Sequence, residues 1–323
     1  MIFSETSPPE DLSAWGLHAF SLGARSTPHG VVHMDHNGPL LYLAREGITK
    51  AQLAESGIVP SESQLTLLQV YGLIDIVDDV VTTRFPLLGP ETMAALREAT
   101  GDLAGSLAEE LTDDVAAIST QVRQQGFTEH DYSVVFGYVI DGLFFDHLKT
   151  QNLVPSTELS IDHPFWNGVF WAIHPARDST AGTNEVVYEK CALTAVWTKP
   201  TVNALMAYTA SEEVRLLSEN PQTQRILPVI VASGDDPIHR RAVSMSNLMT
   251  DALASKSAKT LYSLLEGIEQ QAATVIICHE LIWDVMEELT ERELVSRPAS
   301  FDTENPSREE LSRQCFLVQS GSS

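Results

Sequence analysis

The chain has 323 residues, with 44 acidic and 20 basic side chains and a formal charge of -24. A surface that acidic repels nucleic acid on average and gains nothing from anionic membranes, so DNA contact would need a local patch that overcomes the global field. The length suits two domains with sizeable cores, and an apolar fraction of 43% excludes wholesale disorder.

No window reaches about 18 uninterrupted apolar residues, so no bilayer-spanning segment is expected. The opening MIFSETSPPEDLSAW has no basic stretch followed by an apolar one, and no secretory signal is expected. Cys191, Cys278 and Cys315 are odd in number and far apart, which fits free thiols in a reducing cytoplasm.

Residues 1–36 contain Pro8, Pro9 and Pro28 and little apolar periodicity, and predict an irregular segment. Its one chemical candidate is His29, His33 and His36 with Asp35 beside them, which on one helical face would bind zinc or another divalent ion. Pro28, Gly30 and the β-branched pair Val31-Val32 argue against a helix there.

From residue 37 the local signals sharpen. LLYLAREG reads as a short helix ended by Gly47, and Thr49 suits the N-cap of KAQLAES, which Gly57 stops. Pro60-Ser61 opens a third helix, SESQLTLLQVYG, with Leu65, Leu68 and Val70 inward and Gly72 as its stop. LIDIVDDVVTTRF then reads as two short strands turned at Asp78-Asp79.

This order over residues 37–90 resembles the winged helix-turn-helix superfamily. ITKAQLAESGIVPSESQLTLLQVYGLI matches the helix-turn-helix, and DIVDDVVTTRF matches the wing. The resemblance implies a third helix in the major groove and a hairpin on the phosphates, with Lys50, Ser61, Ser63, Gln64 and Arg84 as DNA-contacting residues. The charges point the other way. The third helix has no Lys or Arg, and Arg45, Lys50 and Arg84 face Glu46, Glu55, Glu62, Asp75, Asp78 and Asp79. Phosphate contacts supply most of the affinity of ordinary DNA binders. Modules of this kind also dock on proteins, so a basic protein partner is the alternative to DNA.

Residues 91–150 are expected to link and pair subunits. A helix over about 89–125 carries Met93, Leu96, Leu103, Leu107, Leu111, Val115, Ile118 and Val122 as a narrow seam, with Thr100 in its one gap. The seam either pairs two subunits or packs on the chain's own C-terminal domain, and Gly101 and Gly105 leave open whether the helix is continuous. His130 to Leu148 is apolar almost all round and predicts a buried helix, in which Asp141, Asp146 and His147 read as structural.

Residues 151–164, with Pro155 and Pro164, predict the domain boundary. Residues 151–296 predict an α+β effector domain. FWNGVFWAI and VVYEKCALTAVWT are expected to pair antiparallel across the polar loop HPARDSTAGTNE, with ILPVIVA as a third strand. Helices are expected over about 200–218, 237–266 (Asp236 as N-cap, Pro237 at N1) and 268–290. Trp166, Trp171, Arg177, Lys190 and Trp197 are the candidate walls and polar groups of a small-molecule effector pocket. Consecutive Cys278-His279-Glu280 diverge on a helix and cannot converge on one ligand. The tail 297–323, rich in Ser, Pro and charge, is expected to be loosely ordered.

The expected fold class is therefore mainly α with a small β component (α+β): an N-terminal winged helix, a long dimerisation-type helix and a C-terminal α+β domain. The expected function is a cytoplasmic, homodimeric, ligand-responsive transcriptional regulator. A protein-docking module and an enzyme using the C-terminal pocket are the alternatives. No phosphate loop, dinucleotide fingerprint, nucleophile elbow or kinase signature is present, which weighs against the enzyme. No cofactor or membrane partner is expected, with a divalent metal at the three histidines as the one exception considered.

Overall fold

The computed structural model describes residues 7–21, 26–161, 163–178 and 180–321. About 52% of it is helix and 15% strand in small sheets, a mixed α+β composition. The elements begin with β1 (Gly16–Phe20), α1 (Pro28–Val32), α2 (Asn37–Leu43), β2 (Ile48–Thr49), α3 (Lys50–Glu55) and α4 (Glu62–Val70). There follow β3 (Ile74–Val77), β4 (Val80–Thr83), β5 (Leu87–Leu88), α5 (Pro90–Gln124) and α6 (Asp131–Val134). A π-helical stretch, Val135–Leu143, leads into α7 (Phe144–Thr150), then β6 (Val169–Ile173), β7 (Ala181–Val187) and β8 (Ala192–Thr198). The remainder is α8 (Val202–Thr209), α9 (Glu212–Glu219), β9 (Val229–Ala232), α10 (Pro237–Leu253), α11 (Lys256–Leu264), α12 (Gln270–Glu291), α13 (Arg308–Ser312) and β10 (Cys315–Ser320).

Contacts divide the chain into two compact units that interleave in sequence. Unit one comprises Met1–Glu98, Leu153–Asp178 and Tyr262–Ile277; unit two comprises Ala99–Asn152, Ser179–Leu261 and Cys278–Ser323. The connector at 151–164, expected to separate two domains, is thus followed by a return to unit one.

Unit one has a core of Leu12, Leu40, Leu41, Leu53, Leu65, Leu68, Val81 and Phe170, among others. Local signals set its helices. Thr49 and Gln52 form a reciprocal capping box on α3, and Ser61 caps α4 by accepting from the Gln64 N–H. Asp78 and Asp79 turn the β3–β4 hairpin with φ of 48° and 70°, the paired positive values of a tight two-residue turn. The sheet order is β2-β4-β3. Val70, expected inward, is 47% exposed at the end of α4.

Three further expectations for this unit are corrected. The segment 1–36 is not irregular throughout: β1 pairs antiparallel with β6, from Gly16↔Ile173 to Phe20↔Val169, and α1 begins with Pro28 at its first turn. Proline is compatible with that first position because its missing N–H has no helical partner there. The strand β6 pairs with β1 and β5, whereas the expected pairing was with β8. Phe170, on β6, belongs to the core of unit one.

Unit two is built on a four-stranded sheet of order β7-β8-β10-β9. The region 181–185, expected as loop, is the start of β7, which returns into β8 through Tyr188–Cys191. The tail is the larger correction. α13 is fixed by a Ser307–Glu310 capping box, and β10 is an interior strand, antiparallel to β8 and parallel to β9. Cys315, Phe316 and Leu317 are fully buried there. On the outer edge of β9, the Gln125 amide bonds both the N–H and the C=O of Val229, and Asp236 accepts from the Val231 N–H. These side chains occupy groups that an open edge would offer to another strand.

The long helix α5 is one piece through Gly101 and Gly105. Every seam residue from Met93 to Val122 is buried, and Thr100 donates to Asp284 at 2.5 Å. Within unit two, Ser119 donates to the Leu294 carbonyl and Arg292 to that of Gly105, so the seam packs against α12 and the turn after it. The seam is therefore largely buried within its own chain, which favours the second of its two expected roles, packing on the chain's own C-terminal part. Asp236 caps α10 as expected, accepting from Ile238 and His239 N–H. The region 200–218 divides at Ser211, which caps α9. All three cysteines are buried and free. Among the described residues no helix is long and apolar enough to cross a membrane.

Candidate functional site

The surface made by α3, α4 and the β3–β4 hairpin is the first candidate, because it gathers the residues expected to meet a partner. Lys50 opens α3, and its ammonium lies 3.5 Å from the Glu62 carboxylate at the start of α4. Arg84, just past β4, pairs with Asp75 of β3 at 3.1 Å. Arg45 donates to the Tyr42 carbonyl and lies over the Tyr42 ring, 4.1 Å from its centre. The hydroxyl of Ser61 caps α4 and bonds that of Ser63 at 3.0 Å. Gln64 is turned inward, donating at 2.7 Å to Asn37, which is 1% exposed.

Of the five residues predicted to contact DNA, both cations are thus held by carboxylates of the same module, and Ser61 and Gln64 act in its folding. The groups left facing outward on α4 are Glu62, Ser63, Thr66, Gln69 and Val70. The Lys50 backbone N–H donates to the Asp79 carbonyl, which sets the acidic hairpin tip beside the start of α3.

The three histidines do not form a metal-holding group. His29 lies in α1, where its two ring nitrogens meet the Thr27 hydroxyl and the Leu17 carbonyl, each at 3.1 Å. Burial lowers its pKa, opposed by the Leu17 bond and helped by the nearby His33 charge. His33 and His36 are exposed. Among the described residues no group of three or more His, Cys, Asp or Glu side chains is arranged to hold a metal ion.

The predicted effector-pocket residues divide between the units. Trp166, Trp171 and Arg177 belong to unit one, and Lys190 and Trp197 to unit two. Trp166 donates to the Tyr71 carbonyl at 3.0 Å, and Trp171 is buried and stacked on His18 at 5.4 Å. Arg177 is half-buried just past β6. Lys190 donates to the Glu219 carbonyl at 2.8 Å. The Trp197 ring covers Gly182, where an added Cβ would come within 2.5 Å of it. Trp166, Trp171, Lys190 and Trp197 thus each have a hydrogen-bonding or packing partner within their own unit.

Sequence reading missed the setting of Asp141. It lies in the π-helical stretch, a local geometry often found at functional positions. The Thr183 hydroxyl of β7 donates to it at 2.7 Å. Burial pushes its pKa up to about 6, against hydrogen bonds from the Thr183 side chain and backbone and the Lys149 charge. Asp146 instead pairs with Lys149 at 3.0 Å, and the His147 ring meets the Gln151 amide at 2.7 Å.

Because the folded carboxyl holds its proton more tightly than the unfolded one, its stabilising contribution is full below about pH 4 and is lost as pH rises through 6. The expected loss is on the order of 1–3 kcal/mol, reduced somewhat because the residue keeps a minor exposed fraction. Asp141→Asn should therefore be more stable than wild type at pH 8, with the gap closing towards pH 4. Urea midpoints across that range test this, and a gap independent of pH would refute it.

No family model matches the chain, and no curated protein and no solved structure matches it.

Proposed function

We propose that residues 37–90 are a winged helix-turn-helix module used to dock a basic protein partner. The carrying observation is electrostatic. Six carboxylates accompany three cations in this stretch, Lys50 and Arg84 are already paired within it, and its hairpin tip is Asp78-Asp79. A helix–strand–helix–helix–hairpin order with sheet order β2-β4-β3 supports the module assignment. Freeing Lys50 or Arg84 for a phosphate would leave Glu62 or Asp75 facing the same polyanion, so the usual counterion-release gain is largely absent. A cationic partner instead meets Glu62, Asp78 and Asp79 on one exposed face.

A second reading, the ligand-responsive regulator binding DNA, draws on one observation. Ser63, Thr66 and Gln69 are exposed hydrogen-bonding side chains on α4. The two readings separate on a salt titration with mixed-sequence duplex DNA from about 20 to 200 mM. The docking reading expects no DNA binding even at the lowest salt, and affinity capture of basic proteins that E62Q/D78N/D79N loses. DNA binding that weakens steeply with salt and with Lys50→Ala would overturn it in favour of the regulator.

A further inference from the structure

Within unit two, α5 and α10 run antiparallel and are tied at one end by Arg241 and Asp114, 2.7 Å apart. Away from that ion pair they bound a groove of about 890 Å³. On α5, Ala99, Leu103 and Leu107 stand in one i, i+4, i+8 row, and Asp102, Ser106 and Glu110 in the adjacent row. On α10, Ser244, Leu248 and Ala252 form the inner row, Asn247 and Asp251 with Ser255 just beyond the helix the outer, and Thr260 of α11 also lines the groove. The apolar residues of the inner rows are buried or half-buried, and Asp102, Ser106, Glu110, Asn247 and Asp251 are exposed. The result is a largely apolar floor with Asp102, Glu110 and Asp251 on its rims, and no Lys or Arg lines it among the described residues.

We propose that this groove binds an amphipathic helix of another protein, one whose apolar stripe is flanked by Lys or Arg. Two antiparallel helices leave a channel that a third helix fills by ridge-and-groove packing. The lined stretch of α5, Ala99 to Glu110, is about 16 Å long at 1.5 Å per residue, or three helical turns. Charge complementarity selects the flanks. Leu103 and Leu107 are already 8% and 2% exposed, so covering the floor removes little apolar surface from water. Asp102, Glu110 and Asp251 must therefore contribute through cations on the ligand. A small molecule suits the site less, since drug-sized ligands are typically about 70–90% enclosed and these rims are open. The groove lies in unit two and does not depend on the docking role given to residues 37–90.

The probe is a 14-residue leucine–lysine peptide with leucine at helical i, i+3, i+4, i+7 spacing, compared with one of identical composition in scrambled order. Fluorescence anisotropy at about 150 mM salt, where long-range attraction is screened, should show the amphipathic peptide binding about ten-fold tighter. D102N/E110Q/D251N should abolish that preference. Ser106→Trp, which blocks the channel without changing charge, should do the same, with circular dichroism confirming that both variants are folded. E62Q/D78N/D79N, on the other unit, should leave the preference intact. Equal binding of both peptides, or equal losses from the two triple variants, would overturn the proposal by showing attraction to the acidic chain as a whole. Binding that survives Ser106→Trp would overturn it by placing the peptide elsewhere.

Discussion

Truncating Phe316 to alanine should lower the free energy of unfolding by about 3–5 kcal/mol, the range for removing a fully buried phenylalanine side chain. Phe316 lies on β10, the strand that joins β8 to β9, and none of its surface reaches solvent. Its ring meets Tyr138 edge-on and occupies the space left open at Gly137, where an added Cβ would come within 3.0 Å of it. Because the ring is held from the sheet on one side and the π-helical stretch on the other, the cavity has little freedom to collapse. Neighbouring Val318 is only half-buried, and Val318→Ala should cost less than about 1 kcal/mol. Urea denaturation of both variants makes the comparison. Equal losses would mean that the C-terminal strand is peripheral to the core.

That strand also marks where sequence reading stopped working. The stretch Arg297 to Arg313 is dense in Ser, Pro and charge, a composition that reads as a loosely ordered tail, yet Phe301 and Leu311 within it are buried. The six-residue strand beyond it carries an apolar run, CFLV, whose partners β8 and β9 lie far back in the chain. The same holds for β1, whose strand partner β6 lies about 150 residues further on. Pairings of that separation leave no trace in a local window.

What was legible had a local cause: the Thr49 and Asp236 caps, the Asp78-Asp79 turn, and the seam period of α5. The π-helical stretch was legible as a buried helix but not in its wider winding, since apolar residues all round carry no information about register. At the candidate docking face, the shortage of cations could be counted. That Lys50 meets Glu62 and Arg84 meets Asp75 could not, because each pair forms across a turn that only the fold brings round. The groove between α5 and α10 shows the same division. Each helix carries its rows of residues four apart in sequence, but their pairing is tertiary.

Leu111→Ala should lower stability by about 2–5 kcal/mol, by the same amount at any protein concentration. Leu111 sits mid-way along α5 and is fully buried within one chain, as are its seam neighbours Val115 and Ile118. If the seam instead joined two subunits, folding and association would be coupled, and the wild-type melting temperature would rise between about 1 and 100 µM protein. The buried bond from Thr100 to Asp284 argues against that coupling. A two-chain seam would have to expose that carboxylate or leave it without the Thr100 hydroxyl, at a cost of about 1–3 kcal/mol. Melting curves of wild type and Leu111→Ala at the two concentrations distinguish the cases. Matching curves with a constant offset are expected. A wild-type midpoint that climbs with concentration, and a variant that loses the climb, would return α5 to the role of a subunit interface.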